Sequence, residues 1–144
     1  MANPSQPTIA VINSNEDTTE MLREVLQHAG FSSVVIGHVT EIKRGQEDFL
    51  RFLEVHDPRV FVWDIGIPYE ENWRFTHLVM NGEAMKGRSV ILTTTNKRAL
   101  DTMVGPTDAI EIIGKPYDLD QIVASVKRAT GVAPVPERAA PDRA

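Results

Sequence analysis

Three side-chain types in this chain, set at strand-like ends, would suit capture of a phosphoryl group by a carboxylate. Asp64 closes the apolar run Val60-Phe61-Val62-Trp63, the hydroxyl cluster Thr93-Thr94-Thr95 closes Ser89-Val90-Ile91-Leu92, and Lys115 with Pro116 follows Ile112-Ile113-Gly114. A carboxylate can serve as the nucleophile, while an ammonium and a hydroxyl hold the oxygens of the arriving group. Such chemistry needs the three groups on one edge of the fold, so the elements between them decide whether they meet.

The elements alternate. Strands are expected over residues 8–12, 33–39, 59–63, 89–94 and 109–113, each a β-rich apolar run, with Gly66 and Pro68 breaking the third. Met21, Leu22, Val25, Leu26 and Ala29 recur at helical spacing, Asp17 with Glu20 reads as a capping box, and Gly30 as a stop. Phe49, Leu50, Phe52, Leu53 and Val55 mark a second helix that ends before Asp57-Pro58. A third spans about residues 70–82, with Trp73, His77, Leu78 and Met80 on one stripe; a short fourth covers 97–104; Asp118 caps a fifth carrying Leu119, Ile122, Val123, Val126 and Ala129. Five strands alternating with five helices predict an α/β fold, a doubly wound five-stranded parallel sheet of order 2-1-3-4-5 in the flavodoxin-like manner. In that order the ends at Asn13-Ser14, Asp64, Thr93-Thr94-Thr95 and Lys115-Pro116 converge on one crevice.

Composition bounds the rest. With 144 residues, 42% of them hydrophobic, one domain over residues 8–130 is expected, flanked by disordered segments at 1–7 and in the proline- and alanine-rich 131–144. The formal net charge of -5 and the lack of a basic stripe argue against DNA as a partner. Absence of cysteine excludes disulfides and thiolate chemistry. No signal peptide or membrane-length apolar run is visible, and a cytoplasmic location is expected. The four histidines form no spaced metal pair. Trp63 and Trp73 read as core.

The chain resembles the receiver domain of bacterial two-component response regulators, from Thr8 to Thr130. The residues that carry the likeness are Asp64 with Pro68 four positions on, Thr94 at the end of the fourth strand, and Lys115-Pro116 followed by Tyr117-Asp118-Leu119. The resemblance implies a phospho-accepting Asp64, a switch Thr94, a phosphate-binding Lys115 and a cis bond between Lys115 and Pro116. It implies a non-enzymatic partner in a phosphorelay, receiving phosphate from a histidine kinase or phosphotransfer protein. A downstream protein would be bound through the last helix and its neighbouring strand.

Two features depart from the family. Its members usually carry two adjacent acids after the first strand that hold Mg²⁺ with the phospho-accepting Asp, and here Asn13 and Ser14 stand there. The implied metal set is Asp64, the Asn13 amide oxygen and the Gly66 backbone carbonyl. Each lost carboxylate removes roughly 1 to 4 kcal/mol of attraction, so Mg²⁺ binding is expected to be weakened by about 10² or more. Glu16 and Asp17 lie close by, but acids in a first helical turn need no metal to explain them. The second departure is Ile112, where the family commonly has an aromatic that swings inward with the switch Thr. Two readings stay open: a phosphorylatable single-domain receiver, and a phosphorylation-independent interaction module of the same fold. A flavodoxin-like enzyme is more remote, since Glu16 and Asp17 sit where a flavin phosphate would dock.

Overall fold

The structure is a computed structural model that describes residues 7–13, 15–105, 111–114 and 119–131. Five strands form one sheet: β1 (Thr8–Ile12), β2 (Val34–Gly37), β3 (Pro58–Ile65), β4 (Ser89–Thr94) and β5 (Glu111–Gly114). The order is β2-β1-β3-β4-β5 and each neighbouring pair is parallel, the doubly wound arrangement expected from the alternation of elements. The described helices are α1 (Glu16–His28), α2 (Val39–Arg44), α3 (Gln46–His56), α4 (Tyr69–Met80), α5 (Lys97–Val104) and α6 (Leu119–Thr130).

β3 is central and longest, and its parity sorts the core into two layers. Val60 and Val62 pack with Ile9, Val11, Leu22, Leu26, Ile113, Ile122 and Val126, the layer beneath α1 and α6. Phe61, Trp63 and Ile65 pack with Ile12, Phe49, Leu53, Leu92 and Leu100, the layer beneath α3, α4 and α5. Both faces of β3 are covered, so its apolar run shows no polar alternation. Each fully buried side chain of this size contributes about 1.5 to 3 kcal/mol, which makes β3 the main hydrophobic tie between the layers.

Several boundaries differ from the sequence expectation. β3 continues through Asp64 to Ile65, so the carboxylate lies within the strand's last turn of pleat and is not presented beyond it. β2 ends at Gly37, where a Cβ would stand 2.7 Å from Ile12 Cδ1 and the end of that side chain would have to shift. Val39, expected in that strand, opens α2 instead. Gly45 then separates α2 from α3 with extended backbone, so six helices are described where five are expected. A six-residue helix is too short to announce itself by periodicity.

Caps and stripes differ as well. α1 is capped by Asn15, whose Oδ1 accepts from Thr18 N at 2.9 Å, and not by an Asp17–Glu20 box. In α4, Leu78 is 73% exposed, because it lies about 140° around the helix from Trp73, while Thr76 and Met80 face inward. Residues 106–110, the expected cap Asp118 and the terminal segments 1–6 and 132–144 lie outside the described residues. Among the described residues no helix is long and apolar enough to cross a membrane.

Candidate functional site

The carboxyl edge between β1 and β3 is the switch point of the sheet, where crossovers leave in opposite directions and open a crevice. Asp64 arrives there on β3. It shares parity with Val60 and Val62, so it leans toward the α1 and α6 side, half-buried. Asn13, following β1 with the parity of Ile9 and Val11, is 2% exposed.

The hydroxyl brought to Asp64 is that of Thr93. β3 and β4 pair with Asp64 opposite Thr93, and Thr93 Oγ1 donates to Asp64 Oδ1 at 2.8 Å. Thr94, expected to be the switch residue, pairs with Ile65 and carries the opposite parity, with Val90 and Leu92. Its Oγ1 accepts from Asn96 N at 3.2 Å, and the residue is fully buried, serving the turn into α5. The difference between the two threonines follows from parity: one step along a strand moves a side chain to the other face. Thr95, past the strand, hydrogen-bonds the Tyr69 hydroxyl at the start of α4, joining the two loops that flank Asp64.

Lys115 and Pro116 lie outside the described residues, as does Ser14. Among the described residues the cis peptide bond is Ile67–Pro68, in the loop after Asp64. Ile112 pairs with Leu92 and packs half-buried against the α3–α5 layer.

Three oxygens of the implied metal set, one from each residue, meet a donor from the chain. Asn13 Oδ1 accepts from Asn15 N at 2.9 Å, which folds the amide over its own loop. The Gly66 carbonyl accepts from Asn72 Nδ2 at 2.9 Å. Asp64 Oδ1 accepts from Thr93. Mg²⁺ wants near-octahedral oxygens and is held best by carboxylates. Among the described residues no three His, Cys, Asp or Glu side chains are grouped to hold a metal ion, and this donor set fits Mg²⁺ poorly.

Beside Asp64 opens a cleft of about 280 Å³ lined by Val39, Lys43, Asp64, Gly66, Asn72 and Thr76, with Trp63 in its wall. Lys43 Nζ donates to Asn72 Oδ1 at 2.6 Å and lies 5.4 Å from the Phe75 ring centroid. A Cβ placed on Gly66 would stand 4.0 Å from Asp64 Oδ2, so the clasped loop runs alongside the carboxylate. Sequence reasoning misses Lys43 and Asn72, and places Thr93 at the crevice without separating it from its neighbours. Lys43 sits on a helix without a readable period, Asn72 on an undistinguished polar turn, and Thr93 in a hydroxyl run where only strand register separates one Thr from the next.

No protein-family model matches the chain, and no curated protein matches it in sequence. Solved structures do match in fold. A signal receiver domain of a two-component histidine kinase from Clostridium thermocellum superposes with a TM-score of 0.69 at 17% identity, covering 88% of this chain and 98% of that one. The chemotaxis protein CheY4 of Vibrio cholerae gives 0.61 at 17% identity over 86% and 98% of the two chains. A variant of the anti-anti-sigma factor PhyR from Bartonella quintana gives 0.64 at 16% identity, over 88% of this chain and 49% of that one. The chain has the fold of a response-regulator receiver domain. At such identities the likeness speaks for the fold, and the chemistry rests on the site.

Proposed function

We propose that this chain acts as a receiver in a phosphorelay, cytoplasmic and without a substrate of its own to turn over, in which Asp64 accepts a phosphoryl group. The observation that carries the reading is the Thr93–Asp64 hydrogen bond at the carboxyl edge of the central strand, a carboxylate already aligned with a hydroxyl that can hold a phosphoryl oxygen. In the proposed step a carboxylate oxygen of Asp64 attacks phosphorus, and the bond from phosphorus to its leaving atom breaks. That atom is the imidazole nitrogen of a phosphohistidine, or the acyl oxygen of a small phosphodonor. The electron pair leaves with it: a phosphohistidine whose other ring nitrogen already carries a proton departs as neutral imidazole, and an acyl phosphate gives up its phosphoryl group as the carboxylate departs. Lys115 would hold a phosphoryl oxygen. The partners are a histidine kinase or phosphotransfer protein and a downstream protein on α6 and β5.

A second reading is favoured by one observation, the neutral and already bonded Asn13. Under it the chain binds its partner without phosphate. Incubation with acetyl phosphate and intact-mass measurement separates the two. The first reading expects a gain of one phosphoryl mass that Asp64→Asn abolishes, and no gain under any donor or metal condition sinks it in favour of the second.

A further inference from the structure

The resemblance implies a place for a divalent cation between the first strand end, the carboxylate and the carbonyl two residues beyond it, and here that carbonyl is engaged by the chain itself. The Gly66 carbonyl is held by Asn72 Nδ2 at 2.9 Å, and Asn72 Oδ1 in turn receives Lys43 Nζ at 2.6 Å. An ammonium, an amide and a carbonyl thus run in series along the wall of the cleft that Asp64 lines. The arrangement depends on the break at Gly45, which makes α2 a separate short helix whose Lys43 reaches α4. Asn72 is held one turn into α4, its backbone N–H on the Pro68 carbonyl at 3.0 Å.

We infer that Lys43 and Asn72 stand in place of the divalent cation, so that this cleft takes a phosphoryl group, or another tetrahedral oxyanion, with an ammonium as its counter-charge. The amide takes one lone pair of the Gly66 oxygen and the ammonium repels a cation, while its flexible four-carbon stem lets it turn from Asn72 to an incoming anion. The inference rests on reading this edge as a phosphoryl site, but its first test does not depend on phosphorylation.

That test uses Mn²⁺ alone, added to the ¹⁵N-labelled protein, with paramagnetic broadening of the Asn13, Asp64 and Gly66 amides as the readout. Stoichiometric Mn²⁺ is expected to leave these resonances sharp in the wild type. Lys43→Met and Asn72→Asp, checked for an otherwise unchanged spectrum, are each expected to lower the Mn²⁺ concentration for half-broadening by about tenfold. Selective broadening of the wild type at stoichiometric Mn²⁺ overturns the inference, and so do variants as insensitive as the wild type. The same proteins given acetyl phosphate in excess chelator provide the second test: labelling of the wild type that Lys43→Met slows severalfold supports the inference, and labelling that requires Mg²⁺ contradicts it. Failure to label with or without metal removes Asp64 as an acceptor and leaves the Mn²⁺ result to decide on Lys43 and Asn72.

Discussion

Thr93 and Asp64 face each other across the β3–β4 register, Oγ1 to Oδ1 at 2.8 Å, whereas Thr94, one residue on, turns its hydroxyl to the backbone of Asn96 on the other face. The two threonines therefore have separable roles. Thr93→Ala is expected to slow labelling of Asp64 by acetyl phosphate by about tenfold or more, as loss of a donor aimed at developing charge does. Thr94→Ala is expected to keep the labelling rate within about twofold and to lower stability by about 1 kcal/mol through the lost turn bond. The reverse pattern in labelling kinetics would show that the register assignment is wrong.

Trp63 is fully buried and its indole N–H meets no hydrogen-bond partner among the described residues. A buried unpaired donor costs about 1 to 3 kcal/mol, close to what is lost when the larger ring is trimmed to phenyl. Trp63→Phe is thus expected to change the unfolding free energy by less than about 1 kcal/mol, while Trp63→Ala costs about 3 to 5 kcal/mol. Urea titrations of both variants check the contrast, and a large loss for Trp63→Phe would mean the indole N–H is satisfied in solution.

Arg88 closes the turn between α3 and β3. Its side chain donates to the carbonyls of Ala84 at 3.0 Å and Pro58 at 2.7 Å and to Asp57 Oδ1 at 2.8 Å, and Asp57 holds a left-handed φ of 46°. Asp57 is largely exposed, so its charge is worth little, and Asp57→Asn is expected to shift stability by under about 0.5 kcal/mol. Asp57→Val, a β-branched residue forced into left-handed space, is expected to cost about 1 to 2 kcal/mol. Arg88→Met, which strips two backbone acceptors of their donor, is expected to cost about 1 to 3 kcal/mol. Thermal melts in high and low salt check the ranking, which salt should leave unchanged.

Asn15 caps α1 through Thr18 N, and its own backbone N–H donates to Asn13 Oδ1. Asn15→Ala is expected to lower stability by about 1 kcal/mol while leaving the Asn13 turn in place, since that turn uses the backbone. Asn15→Pro removes the N–H as well and is expected to release Asn13 Oδ1. A shift of the Asn13 side-chain amide resonance in the proline variant and not in the alanine variant checks this.

Much of the fold was legible from periodicity. The apolar runs around Ile9, Val62 and Ile91 are short, β-rich and bounded by turn residues, as strands covered on both faces are, and the spacing of Leu22, Leu26, Ile122 and Val126 marks the inward stripe of helices. From these the order β2-β1-β3-β4-β5 followed as the usual way to wind alternating units. α2 was not legible, because six residues hold too few turns to show a period. Leu78 was misread because a stripe drawn by apolar type alone ignores the angle at which each residue leaves the helix axis.

Residue type and order determined that a carboxylate, a hydroxyl run and a lysine each stand at the end of an apolar run, and that the lip after β1 is neutral. Only the tertiary structure decided which threonine meets Asp64. In strands buried on both faces every residue is apolar or small, so the sequence carries no sign of which face is which, and the inter-strand register supplies it. Nor could the sequence bring Lys43 and Asn72 together, 29 positions apart on different helices, onto the carbonyl of Gly66. That meeting is set by where the break at Gly45 turns α2 and by how α4 packs beside it.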